Sequence, residues 1–299
     1  MSGKRSVYFA LPIAVLGVVF FSAKAVMVKM AYQYQVEAIP LLLLRMGFAL
    51  PVYGVMALLK KPAHPEHIGK KDYGWILVFG FIGYYLASLF DFLGLEYIKA
   101  SLERIILFIY PTLVILISWV FLGKKPSKLQ VMAIGITYLG IWITFYEELG
   151  MAGDIQPVLW GGTLVLLSAL TYASYIVGSG WLIPKFGATA FTSYAMIVSS
   201  LCVLVHFGLF VQTDLLHYPP EVYWLGFAMA MLSTVIPSYL VSVAIKYMGA
   251  SNFSIVGSLG PISTILLANI FLDEGMTLTQ LAGTVVVIGG VFVISKAKV

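Results

Sequence analysis

An all-α integral membrane fold, ten transmembrane helices in two inverted five-helix repeats, follows from three observations. The 299 residues are 61% hydrophobic and 10% charged, with a mean hydropathy of +0.97; soluble domains run at about 45–50% apolar and 25% charged. Apolar runs long enough to cross a bilayer, about 20 residues each, recur along the whole chain. The second half also repeats the first at an offset of 150 residues.

Breaking the chain where proline, glycine and charge cluster leaves ten runs, near 7–31, 38–60, 73–98, 101–122, 127–146, 157–180, 187–211, 221–246, 250–272 and 277–295. They are long and lack strict alternation, so they read as helices and not barrel strands. Lys4 and Arg5 precede the first run as in a signal peptide, but the run exceeds the length of a signal h-region and reads as a mature helix. It contains "FFSAKAVMVKM", in which Lys24 and Lys29 interrupt hydrocarbon, each at an insertion cost of about 2.5–3.5 kcal/mol at a helix centre. "KPAHPEHIGKKD" and "HYPPE" supply turn chemistry after the second and seventh runs, whereas the third and fourth, eighth and ninth, and ninth and tenth runs are joined by only a few residues.

Loop charges orient the bundle. The side holding both termini and the loops after even-numbered runs carries Lys60, Lys61, Lys70, Lys71, Lys124, Lys125, Lys128, Lys185 and Lys246. The other side carries Glu37, Glu147, Glu148, Asp154, Asp214, Glu221, Asp273 and Glu274, with Lys99 as the exception. Basic loops stay inside, so both termini are expected in the cytoplasm, in a bacterial-type cytoplasmic (inner) membrane. The net charge of +5 therefore reflects topology, and no nucleic-acid partner is implied. The single cysteine, Cys202, excludes a disulfide framework or a Cys-rich metal site.

In the repeat, "YIKASLERIILFIYPTLVILISWVFLGKKPSKLQ" from Tyr97 lies over "YMGASNFSIVGSLGPISTILLANIFLDEGMTLTQ" from Tyr247, pairing Ala100 with Ala250, Ser101 with Ser251, Pro111 with Pro261, Gln130 with Gln280 and Gly140 with Gly290. The expected units are 1–149 and 150–299. An odd number of helices per unit turns the second copy upside down, and "GKK" at 123–125 accordingly becomes "DEG" at 273–275. Inverted repeats suit a carrier whose two halves exchange inward-open and outward-open shapes around a midplane site. Pro111 and Pro261, at matching positions within runs, are expected to bend their helices.

With a rise of 1.5 Å per residue, Lys24 and Arg45 lie at similar heights, roughly 7 Å beyond the midplane, with Asp91 slightly further out. Ionisable groups at such depth face the bundle interior, pair, or mark a substrate path. Tyr84, Ser88 and Asp91 share one helical face, as do Glu103 and Tyr110, and Ser199, Cys202 and His206. Lys29 is expected to snorkel to the surface, and adjacent Glu103 and Arg104 read as a solvated pair at a helix start. In the second repeat Ser254, Ser258 and Asn269 form an uncharged stripe, accompanied by Tyr172, Tyr175 and Tyr239. The expected substrate-binding set is Lys24, Arg45, Tyr84, Ser88, Asp91, Tyr110, Tyr172, Tyr239 and Ser258, with Asp91, Glu103, Arg104 and His206 as candidates for proton coupling or gating. Two cations against one carboxylate favour a carboxylate, a phosphate or a zwitterion. Trp75, Trp160 and Trp224 lie near run ends, as an aromatic belt requires.

The stretch "FSAKAVMVKMAYQYQVEAIPLLLLRMGFALP" resembles the first two spans of the drug/metabolite transporter superfamily, in its EamA-like branch, including the arginine early in the second span; "FLDEGMTLTQLAGTVVVIGGVFVI" is similar to the closing motif of that branch. The resemblance covers both halves and implies ten helices around a central cavity and movement of small metabolites or amino acids, often as export. The chain departs from the pattern at Lys124, where members often carry glutamate, and near Phe21, where they often carry tryptophan.

The expected activity is thus alternating-access transport of a small anionic or zwitterionic metabolite, as exporter or exchanger, with no cofactor and no metal. The partners are that solute and membrane lipid; a homodimer is left open. There is no Walker A loop, HExxH or GxSxG, and "HPEH" at 64–67 offers too few ligands for a metal site. A lipid flippase or a non-transporting membrane partner is the competing class, and a membrane enzyme a weaker one.

Overall fold

The computed structural model describes residues 2–123, 125–151, 154–249, 253, 256–257, 259–275 and 277–296. They form α1 (Ser2–Tyr32), α2 (Ala38–Leu59), α3 (Lys70–Tyr97), α4 (Ala100–Leu122), α5 (Lys128–Met151), α6 (Ile155–Phe186), α7 (Ala188–Phe210), α8 (Pro220–Met248), α9 (Leu259–Leu272) and α10 (Leu278–Lys296). Eight of these helices are long and apolar enough to cross a membrane by length and composition, and α9 and α10 contribute shorter apolar stretches. No strand occurs among the described residues. Ser258, Ser254 and Lys124 lie outside the described residues.

The packing maps onto itself when the two repeats are exchanged. α1 packs against α8 and α9, and its counterpart α6 against α3 and α4; α2 faces its counterpart α7, and α5 faces α10. Glycines show how the last pair runs. A Cβ on Gly140 would meet the carbonyl oxygen of Gly283 at 2.6 Å, and one on Gly290 would meet the carbonyl oxygen of Ala133 at 2.9 Å. As numbering rises along α5 from 133 to 140, the contacts on α10 therefore fall from 290 to 283. The two helices are antiparallel although they occupy the same place in their repeats, which is what inversion means. Backbones come this close because neither glycine presents a side chain at the crossing, the usual device for packing helices in lipid.

α3 and α8 are not regular throughout. α3 widens into a π-helical turn at Phe81–Leu86 and α8 at Met231–Val235, equivalent positions in the two repeats. A wide turn leaves carbonyls without their usual donors. In α8 the hydroxyls of Ser233 and Thr234 both donate to the carbonyl of Met229, at 3.0 and 2.9 Å. In α3 the turn lets Gly83 lie directly on Tyr175 of α6, where no Cβ would fit.

The prolines act differently from the expected mid-helix bends. α4 stops at Leu107 and restarts at Tyr110, so that Pro111 sits in the first turn of its second piece, where a missing N–H leaves nothing unpaired. Pro261 occupies the first turn of α9 in the same way. Each proline begins a helix instead of kinking one. The start of α4 is closed by the second repeat: Glu274 accepts from the backbone amides of Ala100 at 3.1 Å and Ser101 at 3.2 Å, and from the Ser101 hydroxyl at 2.9 Å. A carboxylate there satisfies orphan amides and faces the positive end of the helix dipole.

Candidate functional site

Between the repeats lies a cavity of about 90 Å³, bordered by α1, α2, α3, α4, α6 and the chain leading into α9. Lys24, Arg45, Tyr84, Ser88, Tyr110 and Tyr172 of the expected set reach its wall, as does Arg104. The three cations among them are held in these apolar helices by partners on neighbouring helices.

Lys24 of α1 places Nζ 2.6 Å from Asp91 Oδ2 of α3 and 3.9 Å from Glu103 Oε1 of α4. Arg104 donates through Nε to Thr264 of α9 at 2.9 Å and through Nη2 to the carbonyl of Phe21 at 3.0 Å, with Nε 3.9 Å from Glu103 Oε2. Arg45 of α2 donates through Nε to Thr234, in the π-helical turn of α8, at 2.7 Å, and its guanidinium lies over the Phe92 ring at 5.3 Å. Its Nη1 is buried and has no partner among the described residues. Asp91 and Glu103 are both buried and stand behind the cations, away from the cavity wall. The wall therefore shows an ammonium and two guanidinium groups, with two carboxyls behind them.

Aromatic rings make up much of the remaining wall. Tyr84 meets Tyr175 edge-on at 4.6 Å between centroids, and Tyr110 meets Tyr172 at 5.4 Å. Such pairs give a rigid, apolar surface to the bodies of bound molecules.

Several expectations need revision. Glu103 is fully buried and the Arg104 side chain only 11% exposed, so they are not a solvated surface pair; α3 and α9 cover the start of α4 and enclose both. Lys29 does not run free to the surface but donates to the carbonyl of Leu95 at 3.0 Å. Asn269 is exposed, whereas Gly260, Pro261, Thr264 and Ala268 form the buried side of α9. Tyr239 bonds Ser193 at 2.8 Å and meets the Tyr53 ring at a tilt of 53°, outside the cavity wall. His206 bonds Tyr85 at 2.9 Å where α3 meets α7. Thr234 and Thr264, which hold the two guanidinium groups, were not anticipated; a buried hydroxyl opposite a buried arginine has no local sequence mark. Away from the cavity, the exposed side chains of His64, Glu66 and His67 bring one donor atom each within 4.8 Å of one another.

The EamA-like transporter family model matches this chain twice, over residues 8–146 and 159–296. An "Uncharacterized transporter YcbK" of Bacillus subtilis is 30% identical over 283 residues, covering 93% of this chain and 88% of that protein. An "Uncharacterized transporter sll1319" of Synechocystis is 26% identical over 215 residues, 70% of this chain and 62% of that one. A solved structure titled "Crystal structure of protein" superposes with a TM-score of 0.70 at 15% identity, covering 97% of this chain and 99% of that one, a likeness in fold. With both halves matched, this multi-pass membrane protein belongs to the EamA-like transporter family.

Proposed function

We propose that the protein is a secondary transporter that moves a small anionic or zwitterionic metabolite across a bacterial-type cytoplasmic membrane by alternating access, as an exporter or exchanger. The units exchanging shape are 1–149 and 150–299, with both termini in the cytoplasm. The observation that carries the reading is Arg45: a buried guanidinium of a residue that borders the cavity, held at Nε by Thr234, with Nη1 unpartnered among the described residues. A donor left without an acceptor in a buried site is costly, and an oxyanion from the solute offsets that cost. Lys24 and Arg104 on the same wall add to the attraction for a carboxylate or phosphate, while Tyr84, Tyr110 and Tyr172 take the body of the molecule. With both carboxyls ionised, Lys24, Arg45, Arg104, Asp91 and Glu103 carry one excess positive charge, which attracts one anion.

Counterflow in proteoliposomes tests this. Purified protein is reconstituted with unlabelled organic acids, amino acids or phosphorylated metabolites inside, and entry of the labelled counterpart is followed. At least one anion or zwitterion is expected to exchange, and Arg45→Ala to abolish it. If no member of the panel moves, or if the Arg45→Ala protein exchanges like the parent, the reading fails.

A further inference from the structure

We infer that Glu103 is the group that takes up and releases a proton during the transport cycle, with Asp91 serving as the permanent counter-ion of Lys24. This rests on the transport reading above and adds the coupling step to it. The two carboxyls are held differently. Asp91 has the ammonium of Lys24 at 2.6 Å, a full ion pair. Glu103, 0% exposed, has Lys24 and Arg104 no closer than 3.9 Å. The oxygens of both carboxyls lack a hydrogen-bond partner among the described residues, so the distance to Lys24 is what sets them apart.

Asp91 and Glu103 face the same ammonium, Lys24 Nζ, at 2.6 and 3.9 Å, which sets the two carboxyls side by side. Two ionised carboxyls offer each other no donor, so that contact is repulsive as it stands. One proton on Glu103 changes it into an O–H···O hydrogen bond to Asp91 and removes the charge that lacks a close partner. The groups facing Glu103 are Lys24 from α1, Asp91 from α3 and Arg104 beside it on α4, the last anchored to Thr264 of α9. Lys24 and Arg104 also form the cavity wall. An anion that draws these two cations forward leaves Glu103 with less compensation and opens it to the cavity, and it then takes a proton from hydronium: one O–H bond breaks in the hydronium, one forms at the carboxylate, and water is left. When the anion leaves, the cations return and the proton goes back to water. The charge layer holds one excess positive charge both when empty with Glu103 ionised and when loaded with Glu103 protonated, so both forms that cross between the two shapes are alike in charge.

Two measurements on the full-length protein decide the matter. The first is infrared difference spectroscopy of reconstituted protein between acid and alkaline buffer, which needs no solute. A protonated-carboxyl C=O band that appears at acid pH, is present in Asp91→Asn and is missing in Glu103→Gln supports the assignment; a band that survives in Glu103→Gln overturns it. The second uses labelled lactate, alanine and inorganic phosphate in proteoliposomes. In Glu103→Gln the ratio of accumulation driven by an imposed pH gradient to counterflow at equal pH is expected to fall at least tenfold. Gradient-driven accumulation equal to the parent's overturns the inference while leaving the transport reading intact. Absence of counterflow for all three probes in the parent counts against the transport reading, and the infrared band then decides the role of Glu103 alone.

Discussion

Lys24 and Asp91 join α1 to α3 through an ion pair of 2.6 Å buried behind the cavity wall, with Asp91 1% exposed. A pair this deep is costly to break from one side, because the partner left behind keeps its charge without compensation. Lys24→Ala is therefore expected to lower stability by about 3–5 kcal/mol and to abolish anion counterflow. Lys24→Met combined with Asp91→Leu is expected to recover most of the stability and none of the flux. Thermal unfolding in detergent and counterflow measured on the same preparations check both halves of this statement.

Thr234 should act on transport through Arg45. Removing its hydroxyl in Thr234→Val frees Nε of a buried guanidinium, at about 1.5–3 kcal/mol for a hydrogen bond to a charged group. Apparent affinity for the transported anion is expected to fall about tenfold or more, with the maximal rate changed less. Arg45→Lys is expected to fail as completely as Arg45→Ala, because an ammonium cannot hold Thr234 and present a second donor in the same plane.

The α5–α10 crossing supplies a neighbouring pair of glycines with opposite expectations. A Cβ on Gly290 would lie 2.5 Å from Thr137 Oγ1 and 2.9 Å from the carbonyl oxygen of Ala133, whereas one on Gly289 meets nothing within 4 Å. Gly290→Ala is expected to destabilise by about 1–3 kcal/mol through overpacking. Gly289→Ala is expected to be neutral or to stabilise by up to about 1 kcal/mol, the helix propensity gained. Paired unfolding curves distinguish them.

Inversion of the repeats can be tested by labelling in a Cys202→Ala background. Lys125→Cys follows α4, and Gly275→Cys follows α9 at the equivalent loop, where the new side chain has open space around it. An impermeant maleimide is expected to reach Lys125→Cys from the cytoplasmic face and Gly275→Cys from the opposite face. Reaction of both from one face contradicts the proposed orientation.

The cap on α4 gives a further outcome. Glu274→Gln keeps the shape but removes the charge that accepts from Ala100 and Ser101, and a lost cap costs about 0.5–2 kcal/mol. The melting temperature is expected to fall accordingly, and to recover in part with Glu274→Asp.

Much of this architecture could be read before any coordinates, because membrane burial writes itself into composition. Helix positions followed from run length, and the repeat from pairs such as Gly140 with Gly290. The charge layer of Lys24, Arg45 and Asp91 was legible for the same reason: an ionisable residue in hydrocarbon stands out. Its pairing was not. Whether Asp91 met Lys24 or Arg45 depended on how α1, α2 and α3 rotate against one another, which residue spacing within each helix does not encode. The π-helical turns at Phe81–Leu86 and Met231–Val235 were also invisible, since they arise where Gly83 meets Tyr175 and where hydroxyls take up a freed carbonyl. Glu274 and Ser101 lie in different repeats, so no local capping pattern connects them.

The contact of Gly140 with Gly283 and of Gly290 with Ala133 has the character of an isologous dimer interface, in which one surface patch meets its own copy about a twofold axis. A half-length polypeptide inserted both ways up in one bilayer would find this same crossing ready-made between two separate molecules. Joining two such subunits end to end would then preserve the interface while letting each copy diverge, one collecting charges and the other the hydroxyls that hold them.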